Sequence, residues 1–320
     1  LKELKEFISG SARFQLRDEI VRNPALIGKT VQQNILASSV VDLAAKGKIN
    51  LHVKEGGKLS AQQIHWLQDL QERGRLVKKF NTALFLNAGS SRPESAGLAA
   101  GFIGSFYMLL TVLGFSVPIG VATAVFLEEY AKKSRWIDVL EVNINNLAAV
   151  PSIIFGLLGL GIFINLLGMP RSASLVGGLV LALISLPTII ISTRSALRAV
   201  PPSIRAAALG LGASKTQAIF HHVLPLAAPG ILTGIIISLA QSLGQTAPLL
   251  LIGMVAFVVD YPISPLDPAT ALPVQIYIWT NEVDRAFTDR SFAAIIVLVL
   301  LLLIINVIAF FLRRRFTRRW

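Results

Sequence analysis

Four polar side chains stand inside an otherwise apolar stretch of this chain: Gln241, Ser242, Gln245 and Thr246. Amides and hydroxyls both donate and accept hydrogen bonds, so they can pair between helices or line a polar path for a solute. Gln241 and Gln245 are four residues apart and share a face if the segment is helical. Residue types alone leave both roles open, with Gly244 and Pro248 marking a place where the helix can loosen. Two other clusters invite chemistry. Gly210-Leu211-Gly212-Ala213-Ser214-Lys215-Thr216 has the small residues and Lys-Thr pair of a phosphate loop. It lacks the Gly directly before the Lys and the Gly at the required upstream spacing, and it follows no strand, so no nucleotide site is expected there. His221 and His222 are sequence neighbours, which point apart on a helix, so loop packing is expected rather than metal ligation. His52 and His65 are isolated, and the chain has no cysteine, which excludes disulfides and thiolate metal sites.

The elements that must position these residues are membrane spans. Of 320 residues, 53% are hydrophobic and 15% charged, where a soluble domain would carry about a quarter charged. The apolar excess falls in runs long enough to cross a bilayer. Five spans are expected: Leu98–Phe126, Leu147–Leu167, Leu175–Ser192 with a kink at Pro187, Leu226–Val255, and Ala293–Leu312. A short interfacial helix is expected over Trp136–Asn146, and a proline-rich segment over Val258–Asp289. Gly156, Gly159 and Gly161 read as small-residue packing, and Trp136, Trp279 and Trp320 as interfacial anchors. The spans hold almost no ionisable residue, which argues against proton or sodium coupling and excludes an intramembrane enzyme.

Between the third and fourth spans lies Pro201–Pro225, PPSIRAAALGLGASKTQAIFHHVLP. Pro201-Pro202 opens a short helix over Ser203–Leu209. Gly210 and Gly212 turn the chain, and the capping-box spacing of Ser214 and Gln217 starts a second short helix running to about Val223. Pro225 marks the next span. Two short helices bent at glycine, held outside a membrane, suit docking into a groove on another protein.

Residues 1–95 are polar and amphipathic and read as a small α+β domain with its linker. Helices are expected over Leu1–Val21, Thr30–Ala45 and from Ser60 to about Arg73, with strands at Ile49–Val53 and Leu76–Leu86. The net charge of +12 does not indicate nucleic-acid binding. Half of the 30 Lys and Arg residues mix with acids before residue 97, and most others flank spans, as the positive-inside rule requires. The arginine cluster at 313–319 places the C-terminus in the cytoplasm. Loop 201–225 is then cytoplasmic and the N-terminal domain extracytoplasmic. A domain outside the membrane needs an anchor, so a sixth span is expected before Leu1. The fold class is an all-α polytopic membrane protein with a small N-terminal α+β extracytoplasmic domain.

Loop 201–225 resembles the cytoplasmic loop of ABC importer permeases, of the form E-A-A, three residues, G, nine residues, I-x-L-P. Ala206-Ala207-Ala208, Gly212 and Leu224-Pro225 fit that spacing. Ala206 stands where the family has Glu, and His222 where it has Ile. Gly244-Gln245-Thr246-Ala247-Pro248-Leu249-Leu250 resembles the G-E-T-A-P-L-L segment of phosphate-importer permeases of the PstA type. Asn145-Asn146-Leu147 and Val150–Gly159 also match that family. The similarity covers Ala96–Trp320, and the N-terminal domain resembles more weakly the extra external domain of some proteobacterial members.

The resemblance implies a type I ABC importer transmembrane domain over 96–320, in the bacterial inner membrane. It implies phosphate passage, no catalysis and no cofactor on this chain, with ATP and Mg on a partner ATPase. Partners would be a homologous permease, two copies of the ATPase, a periplasmic phosphate-binding protein and membrane lipid, with no nucleic acid. The coupling residues would be Arg205, Ala206, Ala207, Ala208, Leu211, Gly212, Ala213, Ser214, Leu224 and Pro225. The substrate pathway would include Gln241, Gln245 and Thr246, with neutral Gln241 and Gln245 where many members carry Arg and Glu implicated in phosphate passage. Permeases for another small solute, or a passive channel with an external sensory domain, are the alternatives.

Overall fold

The computed structural model describes residues 2–48, 60–255 and 257–316. Among these residues the regular structure is helical, with two isolated β-bridges, Ile8–Ala37 and Ala173–Pro268. The chain divides into two compact units: residues 1–99 with 279–292, and 100–278 with 293–320.

The first unit carries α1 (Lys2–Lys5), α2 (Ala12–Arg22), α3 (Ser39–Ala45), α4 (Ala61–Glu72) and α5 (Ala83–Leu86). Its core is small: Phe7, Val41, Ala44 and Leu67, with Trp66 edge-on to Phe7 at 6.5 Å. The expected capping box starts α4, where Ser60 Oγ accepts from Gln63 N (3.2 Å) and Gln63 Oε1 from Ser60 N (2.8 Å). Other expectations need correction. The helix expected over Leu1–Val21 breaks at Ser9–Ser11, because Ser9 Oγ accepts from Ser11 N (3.1 Å) and Ser9 N donates to Leu36 O (2.9 Å). Such local hydroxyl bonds compete with the helical ladder. The Thr30–Ala45 helix survives only as α3. Leu76–Leu86 forms no strand: it finishes in the single turn α5, where Asn81 Oδ1 accepts from Leu84 N at 3.2 Å. The strand expected at Ile49–Val53 lies outside the described residues. Trp279 is buried against Phe287 (6.2 Å between rings) and is no interfacial anchor. Trp136 is well exposed, and Trp320 is outside the described residues.

The second unit carries the spans. α6 (Ala99–Val125) runs into a widened π-helical turn, Phe126–Tyr130. α7 (Arg135–Ala148) is capped by Ser134, whose Oγ accepts from Ile137 N at 3.4 Å. α8 (Ser152–Gly159) continues as a π-helical stretch to Leu166, and the chain bends by 101° between α7 and α8. Then follow α9 (Ser174–Arg198), α10 (Pro202–Gly210), α11 (Lys215–Ala218), α12 (Leu224–Gly244), α13 (Ala247–Leu251), α14 (Leu272–Thr280) and α15 (Ala286–Phe316). Among the described residues, four helices are long and apolar enough to cross a membrane: Ala99–Tyr130, Ser174–Arg198, Lys215–Gly244 and Ala286–Arg315. The bent pair Arg135–Ala148 and Ser152–Leu166 makes a fifth if it is one span.

The core of this unit joins Met108 and Val112 of α6, Phe155 of α8, Val176, Val180 and Leu181 of α9, and Leu249 of α13. A Cβ on Gly156 would sit 2.7 Å from Pro248 Cα, and one on Gly159 2.2 Å from Val180 Cγ2. Gly156 lets the backbone of Pro248 approach closely, and Gly159 makes room for the Val180 side chain, as small-residue packing allows. Gly161 meets nothing within 4 Å and has no such role.

Candidate functional site

The loop between α9 and α12 forms an elbow. Pro201 is extended (φ −55°, ψ 136°) and Pro202 occupies the first turn of α10, where its missing N–H costs nothing. The turn at 211–213 is set by Gly212, whose φ of +90° is open to glycine and costly to a side chain. Ser214 then caps α11 as expected, with Ser214 Oγ accepting from Gln217 N (3.3 Å) and Gln217 Oε1 from Ser214 N (2.8 Å). The second arm does not stop at Pro225. It passes through a π-helical turn, Ile219–Val223, into α12, so Lys215–Gly244 is one helical body. Proline clashes with the carbonyl four residues back, here His221, and that carbonyl lies in the widened turn.

One side of the elbow is fixed to the spans. Ile219 and Val223 are buried with Val125 of α6 and with Leu197 and Val200 at the end of α9. Ala208 is also buried and Ala213 half-buried. The other side is open: Ala206, Ala207, Leu209, Leu211, Gly212, Ser214 and Phe220 are exposed, Leu211 at 91%. The described residues leave this apolar side chain almost uncovered. Leu224 is half-buried and Pro225 exposed in the first turn of α12.

Arg205 faces inward. Its Nε and NH2 donate to Glu129 at 3.1 and 2.6 Å, and its NH1 and NH2 to the carbonyls of Val200 and Leu197 at 2.8 and 2.9 Å. It thus bonds two carbonyls at the C-terminal end of α9, of which that of Leu197 also accepts from Val200 N (3.3 Å), and ties α10 to the end of α6. Around it stand Arg194 with Glu128 (3.4 Å) and Glu141 (2.6 Å), and Arg198 with Glu128 (2.9 Å). The sequence shows Glu128-Glu129 and Arg194/Arg198 as flanks of spans, but nothing in their spacing says which charges meet. Glu128, Glu129 and Glu141 are therefore site residues that sequence reasoning missed.

The expected substrate-pathway residues sit at a break. α12 ends at Gly244. Gln245 is extended (φ −77°, ψ 123°), Thr246 precedes α13, and Pro248 lies in its first turn. Glycine is a poor helix former, and Pro248 would clash with the Gly244 carbonyl in a continuous helix. Gln241 and Gln245 consequently do not share a helix face, because only Gln241 is helical. Interhelical pairing falls instead to Ser242, whose Oγ lies 3.0 Å from Ser185 Oγ of α9. Gln241 is exposed and Gln245 and Thr246 half-buried. Among the described residues, neither glutamine side chain has a hydrogen-bond partner, and no group of three or more His, Cys, Asp or Glu could hold a metal ion. His221 and His222 are both exposed.

Known proteins resemble this chain. The Bacillus subtilis (strain 168) "Probable ABC transporter permease protein YqgI" is 34% identical over 49% of this chain and 55% of its own. The Mycobacterium leprae (strain TN) "Phosphate transport system permease protein PstA" is 34% identical over 57% of this chain and 59% of its own. The chain thus spans between half and two thirds of the length of these curated relatives. Among solved structures, a bacterial ABC transporter involved in the import of the acidic polysaccharide alginate superposes with a TM-score of 0.53, covering 95% of this chain and 100% of that one. At 14% identity that likeness concerns the fold alone. Residues 1–55 match a domain of unknown function (DUF3333). Residues 114–320, well over half of the chain, match the binding-protein-dependent transport system inner membrane component, and the chain belongs to that family of multi-pass membrane proteins.

Proposed function

We propose that this chain is one transmembrane half of an ATP-driven phosphate importer, non-catalytic itself and moved by a separate ATPase. The observation that carries this reading is the elbow: its inner side is fixed to α6 and α9, while Leu209, Leu211 and Phe220 are presented outward. Such a lever suits an external motor, because rigid movement of the elbow would rock the spans between outward- and inward-open states. Ala206, Ala207, Leu211, Gly212 and Ser214 form the docking side; Arg205, Ala208, Ala213, Leu224 and Pro225 hold its shape. The solute class comes from the relatives named as phosphate transport permeases.

Gln241, Gln245 and Thr246 form the chain's share of the path. An amide exposed at membrane depth costs several kcal/mol if it meets lipid tails. Gln241 is exposed on α12 and unpaired among the described residues, which favours a water-filled path or a facing permease. Amide and hydroxyl donors would then handle the anion. The assembly comprises a homologous permease, two ATPase copies carrying ATP and Mg, and a periplasmic phosphate-binding protein. By the positive-inside rule the basic C-terminal end and the elbow would face the cytoplasm; with five spans, domain 1–95 would then lie outside, ahead of transmembrane domain 96–320.

The test is uptake of radiolabelled phosphate by proteoliposomes holding the complete complex. Uptake with ATP, none with ADP, and competition by arsenate are expected. Competition by an organic solute alone would move the assignment to another substrate. Uptake persisting without the ATPase would identify a passive channel instead.

A further inference from the structure

The widened turn that ends α6, Phe126–Tyr130, touches both arms of the elbow through adjacent residues. Glu129 holds the first arm: it accepts from Arg205 Nε (3.1 Å) and NH2 (2.6 Å) of α10. Tyr130 holds the second: its hydroxyl lies 3.2 Å from Thr216 Oγ1, and Lys215 Nζ sits 5.1 Å over its ring, both on α11. The preceding residue, Glu128, holds the end of α9 through Arg194 and Arg198. Three consecutive side chains therefore reach three different elements, because successive residues of a helical turn point in different directions. Glu129 is the more buried partner, 8% exposed against 25% for Arg205. A buried carboxylate needs its cation, so the two helices cannot separate without stranding a charge.

We propose that this turn is a clamp, with Glu129, Tyr130 and Arg205 as positioning residues that pass motion of the elbow directly to α6. This rests on the functional reading above. Without the clamp, the elbow would reach α6 only through the apolar packing of Ile219 and Val223 on Val125, besides the spans it joins by chain, α9 and α12. With it, α6 moves in the same stroke, although α6 is remote in sequence. The two grips differ in kind. The first is ionic and largely shielded. The second is a hydroxyl bond with a cation over a ring, at exposed positions. Loosening either one frees one arm while leaving the other docked.

The experiment measures the ratio of phosphate taken up to ATP hydrolysed in proteoliposomes of the complete complex, for wild type, E129A, E129Q and Y130F. Clamp action predicts that E129A keeps ATP hydrolysis but lowers the ratio about fivefold or more, the low end of coupling between sites. E129Q, which keeps an acceptor for Arg205, recovers part of the loss, and Y130F lowers the ratio less than E129A. A role confined to stability would reduce the amount of assembled complex and leave the ratio of what remains unchanged, overturning the proposal. Should E129A fail to accumulate in membranes, Y130F, which removes one oxygen, decides alone. A wild-type complex with no ATP-dependent phosphate uptake would overturn the functional reading and the clamp together. Wild-type coupling with unchanged ratios in the variants would overturn the clamp alone.

Discussion

Two glycines two residues apart in the elbow should respond in opposite directions to the same substitution. Gly212 sits at φ +90°, and a Cβ there would meet nothing within 4 Å. Its alanine variant therefore suffers no clash, only the backbone strain of an L residue in left-handed space, about 1–2 kcal/mol. About 1.4 kcal/mol is a factor of ten in an equilibrium. The elbow must hold the observed bend to present Leu209 and Leu211 together, so G212A should weaken binding of the ATPase by about tenfold. Asn tolerates this region better, so G212N should lose less. Gly210 ends α10 with open space around it and no positive φ. G210A gains helix propensity, up to about 1 kcal/mol, and should not weaken binding. The assay is titration of detergent-solubilised permease with the purified ATPase subunit, reading the apparent Kd for each variant. Equal affinities for wild type and G212A, or equal losses for G212A and G210A, would refute the claim that the elbow's bend sets the docking surface.

Other substitutions test the parts around it. S214A removes the acceptor for Gln217 N and half of the capping box, which should cost about 1 kcal/mol and speed amide exchange over 215–218. G156A pushes a methyl to 2.7 Å from the backbone of Pro248, so it should destabilise by about 1–3 kcal/mol in thermal unfolding, whereas G161A, with no neighbour within 4 Å, should be near neutral. S242A breaks the bond to Ser185 and should cost about 0.6 kcal/mol, the mean for interhelical bonds in membranes.

What the sequence disclosed follows from which signals are local. Long apolar runs and the Ser214-Gln217 and Ser60-Gln63 spacings act over a few residues: both capping boxes stand where they were expected, and four expected spans overlap long apolar helices, although the fourth breaks at Gly244 instead of running to Val255 and the second is one arm of a bent pair. The bend at Gly212 was legible for the same reason. The fate of Pro225 was not, because a π-helical turn carries the helix through and has no residue signature. Gln241 and Gln245 misled, since four-residue spacing implies one face only while the helix continues, and Gly244 with Pro248 stops it. In the first unit the apolar run at Leu76–Leu86 fits strand or helix equally, a known ambiguity of short runs. The charges were least legible. Glu129 and Arg205 are 76 residues apart, and only tertiary structure decides which cation a buried carboxylate meets.

The central claim is that a motor on the cytoplasmic side grips the outer side of the elbow. The chain has no cysteine, so L211C introduces a single thiol at the most exposed large apolar position of the elbow, and a thiol-reactive photocross-linker placed there reports what it touches. In the assembled complex the account predicts a cross-linked product with the ATPase subunit that disappears when that subunit is absent. Failure to form this product, with the introduced thiol modified by a membrane-impermeant reagent supplied only from the periplasmic side, would contradict it.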